Sequence, residues 1–526
     1  MKKFAYFFVA LFLISGYSFA QGEVDAVKFS RDELYGTARS MAMGGAFGAL
    51  GGDLTGVSIN PAGIGVYRSS EISGTLGLEQ NKASVGNLDK AVTDFNLHTL
   101  GFVGYFPLRS ESVPMINFGF AYNRQKAFNN EINAKGSPRH SLLNYIADRS
   151  YGVVPSNLEL PGENSNLPDP FETEPWLTVL AYNSWLINDN TGTDGKYYYT
   201  PLNTRGDQLG NQISTYERGY VDDYDFTIGT TVNNVLNLGL SLTVSSIYNY
   251  QYSDYSESFS TNGRYTLNNE VSTTGAGVGA KLGVIYRPTN MLRIGLAYHT
   301  PTWYTMQEYY QASIDDSMAP YVTDPNYEPS RTFSARFPNS YNLKTPDKWV
   351  LSLASVIGSR FILSMDYELM DYRKMELGVP DLSSDEQNWY ETDNNFIQQD
   401  FKMASTVKLG MEYRFNPQLY GRLGYAWMQN PYTAKFSDAG NAAIFNSNVV
   451  HVLEGDNNYF TGGLGYRFNQ NFYADLALVY KSRQDELFGF PNIYDDDNNS
   501  NIVVDSSPFA MTSSSLRGAL TLGYRF

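Results

Sequence analysis

From Met403 to Phe415 the chain sorts its side chains onto two faces. Met403, Ser405, Val407, Leu409, Met411, Tyr413 and Phe415 fall on one, and Ala404, Thr406, Lys408, Gly410, Glu412 and Arg414 on the other. Successive side chains of a β-strand point to opposite sides, so this segment reads as a strand with one face in an apolar medium and the other wet. The pattern returns in Leu236, Leu238, Leu240, Leu242 and Val244, interleaved with Asn237, Gly239, Ser241, Thr243 and Ser245. It returns again in Leu292, Ile294, Leu296 and Tyr298, set against Arg293, Gly295, Ala297 and His299. Charges keep to the wet face, which is required if the other meets lipid, where a mid-depth Arg or Lys costs about 2–4 kcal/mol. Fourteen such segments begin near residues 70, 95, 115, 220, 236, 272, 290, 346, 359, 402, 418, 459, 471 and 514. Asn233-Asn234, Pro288-Thr289-Asn290, Gly358-Ser359, Asn416-Pro417-Gln418 and Asn469-Gln470-Asn471 read as tight turns, and the connections between them run to tens of residues. An even strand number with short turns at one end and long loops at the other is the plan of an all-β, antiparallel transmembrane β-barrel.

The amino terminus fits that plan. Lys2 and Lys3 precede an apolar run from Phe4 to Ile14 and the small-x-small site Ser18-Phe19-Ala20, the pattern of a secretory signal peptide over residues 1–20. The mature chain is expected to start near Gln21, after export through the Sec pathway. No later stretch approaches the roughly 18 uninterrupted apolar residues of a membrane helix, so insertion has to be by strands. The absence of cysteine removes a lipoprotein anchor, disulfides and thiolate chemistry together. With 41 Tyr and 31 Phe the chain is rich in the aromatics that form girdles at membrane interfaces. A net charge of −16 argues against nucleic acid as a partner. Four segments end alike: Tyr286-Arg287-Pro288, Tyr413-Arg414-Phe415, Tyr466-Arg467-Phe468 and Tyr524-Arg525-Phe526. We read them as the periplasmic girdle, and the strand ending in Phe526 resembles the signal by which the barrel assembly machinery recognises outer-membrane proteins. The expected surroundings are outer-membrane lipid and lipopolysaccharide.

Residues 21–69 do not alternate. Eight glycines lie between Gly44 and Gly65, and such small residues let backbone approach backbone. The run Ala38-Arg39-Ser40-Met41-Ala42-Met43-Gly44-Gly45-Ala46-Phe47-Gly48-Ala49-Leu50-Gly51-Gly52-Asp53, followed by Ser58-Ile59-Asn60-Pro61-Ala62-Gly63-Ile64-Gly65, resembles the hatch signature of FadL/TodX-like transporters of hydrophobic compounds. The resemblance implies an N-terminal hatch in the lumen of a fourteen-stranded barrel spanning residues 70–526, with Asn60, Pro61 and Ala62 as the hatch element and Gly63 as its flexible neighbour. It also implies passive uptake of a hydrophobic small molecule, such as a long-chain fatty acid or an aromatic hydrocarbon. The molecule would dock outside, enter a lumenal pocket and leave sideways or past a shifted hatch. By itself Asn60-Pro61 is only a turn signal. PorV-like barrels of type IX secretion carry a similar start, so a shuttle or scaffold for secreted proteins is the alternative of a different class.

Within the large connection from about 129 to 219, Ser141–Ser150 and Glu174–Asn188 are too apolar for an ordinary wet loop. Trp176, Leu177, Leu180 and Trp185 predict a helix at the barrel mouth, suited equally to a ligand-docking surface and to a lid packed on the rim. Interior Lys281, Arg293, Lys408, Arg422 and Arg525 read either as holders of a ligand carboxylate or as wall residues balanced by Asp366, Glu412 and Asp475. His98, His140, His299 and His451 show no metal-ligand spacing, and only His299 has an inward phase, placing it as a polar residue near the rim. Haem uptake lacks a distinguishable axial ligand, and Asp495-Asp496-Asp497 reads as a solvated loop. Gly195-Lys196 lacks the rest of a phosphate loop. No cofactor, metal or catalytic group is implied.

Overall fold

The computed structural model describes residues 22–161, 168–192, 195–202, 209–260, 262–318, 331–358, 360–380, 390–440, 442–444, 446–495 and 498–526. The signal peptide, Gln21, Ser359, Asp496 and Asp497 lie outside the described residues. Fourteen antiparallel wall strands close on themselves. They are β1 Glu71–Val85, β2 Leu88–Pro107, β3 Met115–Gly136, β4 Leu209–Val232, β5 Leu236–Phe259 and β6 Arg264–Tyr286. β7 runs Leu292–His299 and resumes as Trp303–Ser317, and β8 runs Phe337–Lys344 and resumes as Lys348–Ile357. The remainder are β9 Phe361–Asp371, β10 Met403–Arg414, β11 Leu419–Met428, β12 Asn457–Arg467, β13 Phe472–Phe488 and β14 Phe509–Arg525. β1 pairs with β14 from Glu71↔Arg525 to Val85↔Met511, which closes the ring and leaves no free sheet edge there.

The alternation has its expected meaning. In β5 Leu240 and Leu242 are 41% and 59% exposed to the lipid side, whereas Asn237 and Ser241 are fully buried. In β10 Met403, Leu409, Met411, Tyr413 and Phe415 face out, while Lys408 and Glu412 are buried within.

Two features differ from the sequence expectation. Not every outer connection is long: β1 turns into β2 through Gly86-Asn87, and β5 into β6 within residues 260–263. The outer mass lies partly in the strands themselves, several of which begin well before the alternation does. β4 and β5 are each 24 residues, about 80 Å of strand at ~3.3 Å per residue, far more than a tilted crossing of a ~25 Å apolar band requires. Above the membrane these extensions and two helices, α4 Leu142–Arg149 and α5 Trp176–Asn183, share one hydrophobic core that includes Leu143, Ile146, Val179, Leu180, Tyr255, Tyr310 and Phe490. Ser141 caps α4 through a capping box, and buried Glu257 of β5 accepts from Leu142 N (2.8 Å), Tyr255 OH (2.7 Å) and Tyr265 OH (2.8 Å), tying the helix to the wall.

The N-terminal segment fills the lumen. It comprises α1 Glu23–Ser30, α2 Ala38–Ala42, α3 Leu54–Ile59 and a 3-10 turn Pro61–Val66. Thr37 and Asp53 cap α2 and α3, and Thr37 Oγ1 also donates to both Asp53 carboxylate oxygens at 2.8 Å. Short helices with caps but almost no core of their own depend on the wall for stability.

Candidate functional site

The N-terminal segment, expected from the sequence to be a hatch and so called below, is seated on wall glycines. Gly229, Gly239 and Gly283 stand in direct register on β4, β5 and β6, leaving a groove without side chains. Asn60, Pro61 and Ala62 lie in it: a Cβ on Gly239 would come 2.2 Å from Pro61 C, and one on Gly283 2.0 Å from Asn60 Oδ1. On the opposite wall Gly410 and Gly424, also paired, receive Met43 and Gly44 at similarly short range. Asn60 Nδ2 donates to Gly48 O (2.7 Å) and Val284 O (3.2 Å), and its Oδ1 accepts from Ala62 N (3.1 Å). Gly63 lies against Gly51, its N–H bonded to Asn60 O at 2.8 Å. The other exposed backbone groups of the hatch are met one by one. Asp366 accepts from Phe47 N and Gly48 N, Asn117 donates to Ile64 O, Thr231 to Gly65 O, and Thr461 to Ala42 O.

Ion pairs add a second attachment. Arg39 of α2 joins Glu412, which joins Arg422 (2.6 Å), which joins Asp475 (2.5 Å). Asp32 pairs with Lys348 (2.7 Å) and Glu33 with Lys481 (2.5 Å). Arg517, only 1% exposed, binds Glu79 at 2.6 Å and also Glu33, and stacks 4.0 Å over the Tyr35 ring. Burial pushes the Glu33 carboxyl upward, but Lys481 and Arg517 hold it well below the usual carboxylate range. The interior cations singled out in sequence are therefore mostly wall residues with partners: Lys281 with Asp225 (2.8 Å), Lys408 with Glu368 (2.6 Å), Arg422 as above and Arg525 with Glu71 (2.7 Å). Asp366 bonds hatch amides and not a cation. Arg293 alone of the five has only a carbonyl, Leu50 O at 2.6 Å.

Above the hatch the wall opens. β2 pairs with β1 along nearly its whole length, but with β3 only over Thr99–Pro107 against Asn123–Met115. A bulge at Gln125 turns the rest of β3 toward β4, so residues 88–98 of β2 and 124–136 of β3 face each other without a ladder. Side chains alone cross this gap: Arg124 to Asn96 (2.6 Å), Asn129 to Asp94 (2.6 Å) and Lys90 to Glu131 (3.7 Å). Behind it lies a cavity of about 160 Å³ whose lining brings together apolar Val27, Phe128, Ile132 and Val450, the cations Lys28, Lys126, Lys481 and Arg483, and the carboxylates Asp25, Glu33, Glu217 and Glu454. Lys28, Lys481 and Arg483 have carboxylate partners. Lys126 Nζ instead donates to Lys28 O at 2.9 Å and is in no ion pair among the described residues. A second cavity of about 150 Å³ lies deeper, between the hatch and the wall from β3 to β11, lined by Asp32, Lys281, Lys348, Glu368 and Lys408. The segment from Phe29 to Glu33 stands between the two.

The helix expected from Trp176 is α5, at the outer end. Trp176, Leu177 and Leu180 are buried in the outer core, with Trp176 packed 4.8 Å from the Tyr310 ring, and offer no surface. Trp185 is 44% exposed and held at φ 58°. The histidine assignment needs correction. His299 sits deep, bonded to Ile59 O at 2.8 Å, and His98 also points inward, fully buried beside Tyr35. Sequence reasoning missed Lys126, and the bulge at Gln125 is the reason: it inverts the phase, so alternation alone cannot assign a face beyond it.

Residues 19–526 match the family of outer membrane protein transport proteins (OMPP1/FadL/TodX). A 47 kDa outer membrane protein of Pasteurella multocida (strain Pm70) is 21% identical over 253 residues, 48% of this chain and 50% of that protein, so the match spans half of this relative's length. Among solved structures, a deltaS2 mutant of the TodX monoaromatic hydrocarbon channel aligns over 93% of this chain and 98% of its own, at 10% identity and a TM-score of 0.50. A Pseudomonas aeruginosa FadL homologue (12% identity, TM-score 0.49) and the Ralstonia pickettii toluene transporter TbuX (15%, 0.48) each align over 94% of this chain and 99% of theirs. At such identities the likeness is one of fold.

Proposed function

The chain belongs to the outer membrane protein transport family (OMPP1/FadL/TodX), and we propose that it is an outer-membrane transporter of hydrophobic compounds whose substrate is a long-chain fatty acid that passes through the cavity behind the β2–β3 gap. The observation that carries this reading is one cavity that brings Val27, Phe128, Ile132 and Val450 together with Lys126, a cation in no ion pair among the described residues. A carboxylate head would take Lys126 in a charge-assisted bond while the tail lies against the apolar residues. An aromatic hydrocarbon would offer the ammonium no opposite charge. Each methylene kept out of water is worth about 0.8 kcal/mol, so a route that keeps the tail covered is favoured throughout.

The exit is lateral. Leu78 and Phe95, at the inner end of the gap, are exposed on the lipid side, and further out the outward positions of β2 are Thr93, Ala91 and Asp89. The gap therefore opens at the level of the outer leaflet. The hatch, bonded to strands all round the wall, need not leave its seat. On the loop above, Trp185, Tyr151 and Tyr198 are exposed and suit the first contact with an incoming tail.

The test is native mass spectrometry of the mature protein in nanodiscs with oleate, toluene and haem, compared with Lys126→Met and with the double variant Asn60→Ala, Pro61→Ala. Oleate is expected to remain bound and to bind about ten-fold more weakly to Lys126→Met, the size of one charge-assisted bond. Retention of toluene in place of oleate would overturn the acid. An empty barrel across all three would move the reading to the PorV-like scaffold for secreted proteins.

A further inference from the structure

The periplasmic turns carry charge that neither wall nor hatch neutralises. Arg287 follows β6 and Arg293 lies near the start of β7. The ladder that pairs Tyr286 with Ile294 places these two arginines directly opposite each other one step further on. Tyr286 and Ile294 face lipid, so both arginines turn inward, and Arg293 Nη1 reaches the hatch at Leu50 O (2.6 Å). The third member is Arg68, just beyond the last turn of the hatch, whose Nη1 donates to Gly65 O (2.8 Å) and Tyr67 O (3.1 Å). Gly65 is fixed by Thr231 at the foot of β4 (2.7 Å), and the β4–β5 turn supplies Asn234 O as acceptor for Arg287 Nη2 (2.5 Å). The three guanidiniums thus stand on neighbouring segments at the periplasmic end of the barrel.

Their partners are carbonyl oxygens and, for Arg68, the sulfur of Met115. Among the described residues none of the three pairs with a carboxylate, unlike Arg422, Arg517 and Arg525 in the same barrel. The Nε atoms of both Arg287 and Arg293 are buried without a hydrogen-bond partner. Like charges directly opposite on a ladder destabilise it, and buried N–H donors without acceptors add to the cost. Burial and then Arg287 push the Arg68 guanidinium down from its ordinary value. An arrangement that repels itself and leaves donors unused gains most from an acceptor with several oxygens and negative charge.

We propose that Arg68, Arg287 and Arg293 form an oxyanion site at the periplasmic mouth of the barrel, taking a phosphate or carboxylate group presented from the periplasmic side. The site is separate from the outer cavity and stands whether or not fatty acid is the transported ligand.

The probe is inorganic phosphate, followed by phosphorus NMR with the mature protein in phosphatidylcholine nanodiscs, at ionic strength held constant with sodium chloride. The protein is expected to broaden the phosphate line saturably. The double variant Arg287→Gln, Arg293→Gln is expected to require about ten-fold more phosphate for the same effect. Arg68→Gln, which lies outside every strand, should also weaken it and decides the matter if the double variant fails to insert. Arg109→Gln, in the neighbouring β2–β3 turn, should change nothing. Loss of the effect when phosphatidylglycerol replaces part of the lipid assigns the headgroup as the natural source of the same oxyanion, and persistence assigns a free one. No saturable broadening, or equal weakening by Arg109→Gln, overturns the site.

Discussion

Adding one methyl group to the wall at Gly283 tests whether the hatch is held by close backbone contact. The backbone there is ordinary for an L-residue, and the added Cβ would stand 2.0 Å from Asn60 Oδ1, 2.8 Å from Pro61 Cδ and 2.9 Å from Ala62 N. The Asn60 amide has to swing out of its pocket, and Pro61 and Ala62, whose ring and backbone cannot swing, have to shift by a few tenths of an ångström. This breaks the Asn60 bonds to Gly48 O and Val284 O and strains that from Ala62 N, at about 1 kcal/mol each. Overpacking adds about 1–3 kcal/mol. Together the seat loses about 3–5 kcal/mol, which raises the open population roughly 10²–10⁴-fold at about 1.4 kcal/mol per decade. Hydrogen-exchange mass spectrometry in nanodiscs should show faster exchange for peptides covering residues 54–67, with the wall strands unchanged. Gly518→Ala is the control, since its Cβ would meet only Leu78 O at 4.0 Å. Exchange at residues 54–67 within two-fold of the control in a folded Gly283→Ala protein would refute the seating argument.

Three further outcomes follow from the geometry. Arg517→Met leaves Glu79 buried without its cation and Glu33 with Lys481 alone, and should cost about 3–5 kcal/mol in urea unfolding, whereas adding Glu79→Gln should recover part of the loss. Burial raises Glu23 to about 8, with Asp400 and Asp393 of the outer helix α6 Glu391–Asp400 adding to it. A carboxyl raised in the folded state gives stability that is complete below its unfolded value near 4.5 and is lost as pH rises through 8. Exchange of α1 should therefore quicken between pH 5 and 8.5 in the wild type and much less in Glu23→Gln. The chain has no cysteine of its own, so Asp94→Cys with Asn129→Cys allows a bifunctional thiol reagent to tie β2 to β3. Oleate uptake into liposomes should stop while oleate binding persists, and uptake that continues would place the exit elsewhere.

Where lipid meets the wall, the strands were legible in the sequence. Leu238 to Val244 and Met403 to Phe415 alternate because one face has to be apolar and the other wet. That contrast fades above the membrane, where both faces are polar or aromatic. Tyr216, Arg218, Tyr250 and Tyr252 carry no such signal, so β4 begins at Leu209 and not near 220. The sequence left Trp176, Leu177 and Leu180 suited equally to a docking surface and to a lid on the rim, and their burial in the outer core favours the lid. Their hydrophobicity is visible in sequence, but the strand extensions that cover them are not. The ion pairs of Arg517 and Arg39 join residues hundreds of positions apart, and no local pattern reports them.

The direct pairing of β1 with β14 has a consequence for how the molecule is made. The segment that fills the lumen precedes the first strand, and the last strand completes the ring at Phe526, whose amide bonds Ser70 O at 3.0 Å. A hatch touching the wall at backbone distance on both sides could not be threaded into a finished cylinder of this bore. The strands are therefore expected to close around a hatch that is already in place. Seating and closure then belong to one assembly event, and a variant that spoils the seat should accumulate as an unclosed chain before it appears as a leaky pore.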